Sequence, residues 1–496
     1  MVNAPVTDSR SGLGNAVRRA GLLFGVIAFV VMLLMPAPGS LTPSAWRTAA
    51  VVLLMALWWT TEAVPLAATA MLPLILFPTL GILPMPEASA PYANDIVFLS
   101  MGGFLIAVAM ERSGLHRRIA LRIVSVVGTQ PRRLVLGFML ASAFLSMWIS
   151  NTATTAMMYP IGMAIAVLFR PQDQAGPFEL GICLMLGIAY ASTIGGVMTL
   201  IGTPPNAVLA ASASEALGVT IGFVDWMMVG VPIAMVFLPV GWLVLTRFVY
   251  PPGELRGDAS EVLQAERDKL GPISDRECVV AIVFVLTALA WVMRAPKQFG
   301  DVTIPGIQTY APMVKDSTIA MAAAVALFFI PTNWRRFEFA LDWPTAKQIP
   351  WGIIVLFGGG LSMARAMSET GLAEWIGSGV TQLSSWPVWL ILAAVAFLFL
   401  FLTEVTSNVA TATMAMPIMV GAASGLGIAP LQLMATAALA VSMAFMLPVA
   451  TPPNAIVFAS GYVTVPQMAK VGFWFNLISG VLVTIASVIL VPMLLR

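Results

Sequence analysis

The sequence predicts an all-α polytopic membrane protein with about eleven transmembrane helices, and three observations carry that expectation. Of 496 residues, 59% are hydrophobic and 10% charged, with a mean hydropathy of +0.92, a balance suited to lipid rather than water. Apolar runs long enough to cross a bilayer recur along the chain, bounded by charge or by Pro/Gly clusters. Two short polar motifs occur twice each in the same order, which marks an internal repeat. The same composition excludes other classes. A net charge of +2 on so long a chain, with no Lys/Arg-rich block, gives no basis for a nucleic-acid partner. Cys183 and Cys278 both lie in apolar surroundings and read as packing residues rather than a disulfide or metal cluster.

In chain order, the first apolar segment, Gly21 to Met35, follows Arg18-Arg19 like the core of a signal peptide. No Ala-x-Ala cleavage site follows it, so it reads as a retained helix. Simple spans are then expected near 20–38, 46–65, 66–83, 94–112, 153–169, 223–249, 277–295, 316–331, 351–367, 409–424 and 471–495. Four apolar pieces, at 134–149, 178–217, 386–406 and 430–461, are too short or too broken to span simply, and the polar residues concentrate there. One long stretch, "YPPGELRGDASEVLQAERDKLGPISDRE" at 250–277, carries charges of both signs and divides the chain into halves.

Those halves repeat. Gly102-Gly103 matches Gly359-Gly360, Gly114-Leu115 matches Gly371-Leu372, "SNTAT" from Ser150 matches "SNVAT" from Ser407, and Pro160 matches Pro417, every pair 257 positions apart. "TPPNAVLAAS" from Thr203 recurs as "TPPNAIVFAS" from Thr451, 248 positions on, the first half having the longer connection at "RPQDQAGPFE". Arg112, Arg117, Arg118, Arg122, Arg132 and Arg133 precede the first Ser-Asn motif, whereas no Lys or Arg occurs from Ala366 to Ala469. Basic loops stay in the cytoplasm, so the two copies are expected to enter the membrane from opposite sides. Inverted repeats with discontinuous helices are the architecture of secondary transporters, whose substrate site lies near the midplane where the repeats meet.

The motifs suit that place chemically. Consecutive prolines at 204–205 and 452–453 remove backbone donors and push the preceding residue out of helical conformation, so each pair interrupts a helix. Irregular backbone is tolerated at membrane depth only beside protein or a water-filled cavity. There, helix N-termini suit a carboxylate, while unwound carbonyls and Ser or Asn oxygens suit a hard cation such as sodium. An Asn amide has both an acceptor oxygen and two N–H donors, which singles out Asn151 and Asn408. One Ser-Asn-Thr alone would read as small-residue helix packing; two, each followed by a Thr-Pro-Pro-Asn, read as a site.

These residues resemble the divalent anion/sodium symporters, also called the INDY-type dicarboxylate transporters. The resemblance runs through "WWTTEAVPLAATAMLP" from Trp58, "FLSMGGFLIAVAMERSGL" from Phe98, "LSMWISNTATTAMMYP" from Leu145, "IGTPPN" from Ile201, "TEVTSNVATATMAMP" from Thr403 and "ATPPN" from Ala450. It implies a homodimer in the cell membrane, each protomer built of a scaffold part and a transport part that carries two re-entrant hairpins and moves as an elevator. It implies sodium-coupled uptake of a small dianionic carboxylate, such as succinate, malate or fumarate, or of a related di- or tricarboxylate such as citrate. Some members exchange dicarboxylates without sodium and others carry sulfate.

By the resemblance, the chain divides into a cytoplasmic N-terminal segment 1–20, scaffold helices with a cytoplasmic interfacial helix over 21–133, and a first transport half over 134–249. A cytoplasmic charged loop 250–276, a second scaffold part 277–385 and a second transport half 386–496 follow, with an external C-terminus. The resemblance places one sodium on Ser146, Ser150, Asn151 and the carbonyl of Gly202, and a second on Thr403, Thr406, Asn408 and the carbonyl of Ala450. Carboxylate contacts would come from Asn151, Thr152, Asn408, Thr203-Pro204 and Thr451-Pro452. Position 409 departs from the pattern: Val409 stands where many members have Thr, so one wall of the substrate site is more apolar.

Single charged and aromatic residues carry further expectations. Glu404 and Glu62 are carboxylates at or near membrane depth and so candidate functional groups; Glu404 either shapes the second hairpin or binds a coupling ion, and Glu62, near a helix end, reads as structural. Arg365 reads as a snorkelling side chain at the outer interface. His116, the only histidine, reads as solvated on the interfacial helix, and Trp46, Trp58, Trp59, Trp351, Trp386 and Trp389 as interface anchors. An intramembrane enzyme is disfavoured: one histidine cannot form a His-Glu-x-x-His motif, and no mid-helix aspartate pair is present. A passive channel fits less well than alternating access around paired half-helices.

Overall fold

The structure is a computed structural model that describes residues 12–170, 178–253, 259–299 and 302–495. The connection 171–177 and positions 254–258 of the charged loop lie outside the described residues, as does most of the expected N-terminal segment.

The chain is helical almost throughout. Helix α1 (Gly12–Leu34) packs along α2 (Pro43–Thr61), whose N-cap Thr42 accepts from Ala45 N at 3.1 Å. The span expected at 66–83 is instead two short pieces, α3 (Leu66–Thr69) and α4 (Leu72–Thr79), followed by α5 (Met85–Ser89) and α6 (Asp95–Ser113). The amphipathic α7 (Leu115–Val127) leads into α8 (Pro131–Ser146) and α9 (Asn151–Phe169). Then come α10 (Glu179–Gly196), α11 (Pro204–Leu217) and α12 (Phe223–Leu243). In the charged loop α13 (Ser260–Asp268) precedes α14 (Asp275–Val292), which a Ser274/Glu277 capping box starts.

Two strand pairs, β1 (Lys297–Phe299) with β2 (Val302–Ile304) and β3 (Pro331–Asn333) with β4 (Glu338–Phe339), are small loop ribbons around α15 (Ile307–Tyr310) and α16 (Asp316–Phe329). The second half runs through α17 (Trp343–Ala346), α18 (Trp351–Glu369), α19 (Leu372–Val380), α20 (Val388–Thr403) and α21 (Asn408–Leu426). It closes with α22 (Pro430–Val441), α23 (Pro452–Phe458) and α24 (Val465–Leu494).

Eight described stretches are long and apolar enough to cross a membrane. The helices expected at 153–169 and 409–424 start at Asn151 and Asn408, each directly after a tight turn from the preceding helix. α8 turns into α9 through 147–150, and α20 turns into α21 through 404–407. The repeat is visible in element lengths: α6 and α18 have 19 residues each, α8 and α20 have 16, and α9 and α21 have 19. Gly114 and Gly371, 257 positions apart, both end a 19-residue helix and open an amphipathic one at φ 80°, a left-handed conformation that favours glycine.

The core sits around α10, which is buried along its whole length. Small residues let it approach its neighbours: a Cβ on Gly195 would lie 2.2 Å from the carbonyl oxygen of Ala143 in α8. The Tyr190 hydroxyl lies 2.7 Å from Phe445 O and 3.2 Å from Met468 O, so the first half holds the second through α10. Trp59, expected as an interface anchor, is instead fully buried and donates Nε1–H to Leu66 O at 3.1 Å. Trp351, Trp386 and Trp389 are exposed at helix starts.

Candidate functional site

Two helix breaks and two hairpin turns define the site. α10 stops at Gly196 and α11 starts at Pro204, while α22 stops at Val441 and α23 starts at Pro452. In each case Pro stands at the first helical position, where its missing N–H costs nothing. The Asn that ends each Thr-Pro-Pro-Asn folds back to hold the unwound segment: Asn206 Nδ2 donates to Thr199 O at 2.7 Å, and Asn454 Nδ2 donates to Leu447 O at 3.0 Å. Both pairs are 248 positions apart. Each Asn is fully buried with its Oδ1 unpartnered among the described residues. Sequence reasoning stopped at the Thr-Pro of this motif, although its repetition at 206 and 454 was the available signal.

The hairpin turns show the same symmetry. Ser146 Oγ donates to Asn151 Oδ1 at 2.6 Å, and Thr403 Oγ1 donates to Asn408 Oδ1 at 2.7 Å, each hydroxyl five residues before its amide. Asn151 also adjoins the α10 break, since a Cβ on Gly196 would lie 2.3 Å from its Oδ1. Gly202 closes on the same point: its own Cβ would lie 2.4 Å from Gly196 O, and its N–H donates to Thr199 Oγ1 at 3.0 Å. Ser146, Asn151 and Gly202 are therefore brought together around Gly196. Ser150 is used locally, accepting from Ala153 N at 3.2 Å as the N-cap of α9.

In the second half, Thr403 and Asn408 meet, and Thr403 Oγ1 also lies 3.1 Å from Val441 O at the end of α22. Ala450 lies in the break and its N–H donates to Leu447 O at 3.2 Å. Thr406 Oγ1 instead engages Leu402 O at 2.9 Å and Thr411 Oγ1 at 2.7 Å, bonds within its own hairpin. The first half has Ile149 at the equivalent position, and there Thr154 Oγ1 is buried without a partner among the described residues.

The Thr-Pro pairs begin the half-helices: Thr203 precedes Pro204, and Thr451 precedes Pro452 and accepts from Asn454 N at 3.3 Å. Thr152 is exposed in the first turn of α9, whereas Val409 is half-buried and packs against apolar residues on either side.

Glu404 braces the second turn. Its carboxylate accepts from the N–H groups of Phe445 at 2.8 Å, Met446 at 3.0 Å and Leu447 at 3.2 Å, and from Asn476 Nδ2 of α24 at 2.7 Å. Four donors satisfy a buried carboxylate without a cation. The first half does the equivalent work with a neutral group, because Met147 replaces the acid and its carbonyl accepts from Thr199 Oγ1 at 2.5 Å.

Two outlying expectations change, and Glu62 keeps its structural reading. Arg365 is ion-paired rather than simply snorkelling, with Glu369 at 2.8 Å and Glu215 of α11 at 3.9 Å. His116 is half-buried, its Nδ1 lying 3.1 Å from Met110 O; burial pushes the imidazole below its ordinary value, the bond to Met110 opposes this, and Arg117 adds to it. Glu62 caps α2 in a left-handed conformation at φ 47° and pairs with Arg18 at 3.0 Å.

Among the described residues no group of three His, Cys, Asp or Glu side chains could hold a transition metal. The clusters instead present hydroxyl, amide and carbonyl oxygens beside half-helix N-termini.

Comparison with known proteins agrees with this architecture. Residues 16–495 match the family described as the sodium:sulfate symporter transmembrane region. The sodium-dependent dicarboxylate transporter SdcS of Staphylococcus saprophyticus is 42% identical over 488 residues, covering 96% of this chain and 92% of that protein. Its namesake in Staphylococcus aureus strain USA300 is 42% identical over 490 residues, covering 96% and 91%. The crystal structure of the Alcanivorax borkumensis YdaH transporter shares the fold, with a TM-score of 0.57 at 14% identity over 97% of this chain and 98% of that one. The chain belongs to the divalent anion/sodium symporter family of integral membrane transporters, and is not an enzyme.

Proposed function

We propose that this protein is a sodium-coupled C4-dicarboxylate transporter of the cell membrane, and that the twin hydroxyl–amide clusters, Ser146–Asn151 and Thr403–Asn408, carry its coupling. Its relatives are named as sodium-dependent dicarboxylate transporters, which supports the substrate class. The residues fit sodium as co-transported cargo, since both clusters offer neutral hard oxygens. Ser146, Asn151, Gly202 and the capping Ser150 hold one ion, and Thr403, Asn408 and Ala450 hold the other; Thr406 supports the second cluster through Thr411. Each Asn directs Oδ1 to the cation cluster, and its Nδ2 hydrogens take one substrate carboxylate. The N-termini of α9, α11, α21 and α23 face the same anion, with Thr152, Thr203-Pro204, Val409 and Thr451-Pro452 as its walls.

Motion follows from the repeat. The two copies are inverted, the N-terminus is cytoplasmic and the C-terminus external, in keeping with the arginines at 112–133. The hairpins and broken helices, with α12 and α24, form the moving transport part, carried as an elevator against α6 and α18, and the protomers pair as a homodimer in lipid. The family resemblance supports this division, as do the close approaches of Gly103 to Ile201 and of Gly360 to Thr413.

Competition against labelled succinate in proteoliposomes, with and without sodium, tests the reading. Malate and fumarate are expected to compete in sodium and to lose potency without it. Equal uptake in both conditions would favour sodium-independent exchange, and inhibition by sulfate or citrate alone would reassign the substrate.

A further inference from the structure

α7 and α13 line a half-open cavity of about 530 Å³, apart from the site above. Its three arginines are not equivalent. Arg118 is consumed in the fold: Nε donates to Glu277 Oε1 at 2.7 Å, Nη2 to Glu277 Oε2 at 3.2 Å and Nη1 to Gly271 O at 3.2 Å. Asp268, the one carboxylate on the wall, accepts from Gln264 Nε2 at 3.1 Å. Arg122 on α7 and Arg267 on α13 are exposed into the cavity and have no carboxylate partner among the described residues. The floor between them is apolar, made of Ile119, Ile123 and Leu270.

Two guanidiniums with no carboxylate partner among the described residues can take a phosphate through their planar N–H forks. A soluble phosphate would gain nothing from the isoleucines, whereas a phospholipid offers its glycerol and first methylenes to that floor. α7 is built to lie at a membrane boundary, with Leu115, Ala120, Leu121 and Val124 buried in the protein and Val126 73% exposed on its other side. Basic pockets at the cytoplasmic ends of membrane helices take anionic headgroups. We propose that the α7–α13 cavity binds the headgroup phosphate of an anionic phospholipid, with Arg122 and Arg267 as its ligands. α7 is the link between α6 and the first hairpin, so a bound lipid ties that link to the charged loop. The transport reading enters only in assigning the leaflet as cytoplasmic.

The test uses the full chain in phosphatidylcholine nanodiscs, titrated with short-chain phosphatidylglycerol while thermal stability is followed. Wild type is expected to be stabilised saturably, since a ligand bound only by the folded state raises its stability. Arg122→Gln with Arg267→Gln is expected to weaken the apparent affinity on the order of thirtyfold. The double variant should melt like wild type in phosphatidylcholine nanodiscs and take up succinate at the wild-type rate in phosphatidylcholine proteoliposomes. Arg122→Lys with Arg267→Lys, which keeps the charge and loses the forks, should fall between them. Unchanged affinity in both double variants would overturn the proposal. So would inorganic phosphate or glycerol phosphate reproducing the lipid's shift, which would make this a soluble-anion site.

Discussion

In the proposed site, Asn151 and Asn408 each use the two faces of one amide. Ser146 and Thr403 fix Oδ1 toward the oxygen clusters, which leaves the two Nδ2 hydrogens for an anion. Asn151→Ala is therefore expected to lower succinate uptake tenfold to a hundredfold, on the order of one charge-assisted hydrogen bond, and to flatten the sodium dependence; a variant that retained steep sodium dependence would separate the two roles. Val409 is the asymmetric residue. Val409→Thr restores the hydroxyl that Thr152 supplies in the other half, and should change the order of potency among succinate, malate, fumarate and citrate in competition.

His116 makes a third residue-scale prediction. Its folded value is depressed, so the unfolded chain binds the proton first as pH falls, and the stability that depends on neutral His116 is full above the ordinary histidine value and lost below it. His116→Asn should melt at more nearly constant temperature between pH 7 and pH 5 than wild type.

At the scale of elements, the sequence pattern located the broken helices and the four apolar pieces because proline and polar residues interrupt apolar runs in a way one chain can show. The helices expected at 153–169 and 409–424 are present as α9 and α21, with the length and hydropathy of spanning helices; the tight turns that join them to α8 and α20 are what apolarity alone does not show. Trp59 departs from its interface expectation because its Leu66 partner depends on the α2–α3 turn, which apolar spacing does not show. Of the two sequence readings of Glu404, its hydrogen bonds support the one in which it shapes the second half's turn region; the donors themselves, 41 to 72 residues away, could not be named from the sequence. Those donors predict that Glu404→Gln, which turns an NH₂ toward an N–H, destabilises the protein by about 3 kcal/mol, measured as a fall in Tm with wild-type secondary structure retained.

The whole molecule rests on the two-fold repeat, which was readable from paired motifs 257 and 248 positions apart and returns as matched helix lengths. What the sequence could not convey is how the halves interlock. Tyr190 reaches the second break from α10, and Arg365 of α18 reaches Glu215 of α11. If α11 travels with the transport part, the Arg365–Glu215 pair must separate in each cycle. Linking Arg365→Cys to Glu215→Cys with a flexible bismaleimide, in a chain with Cys183 and Cys278 replaced, should stop uptake, while the unlinked variant transports.

The central claim is that paired oxygen clusters couple sodium to a dicarboxylate. Purified protein in proteoliposomes, given labelled succinate and an inward sodium gradient, tests it most directly. The account predicts accumulation above the external concentration that collapses when the gradient is dissipated. Uptake that halts at passive equilibrium with the gradient intact would contradict it.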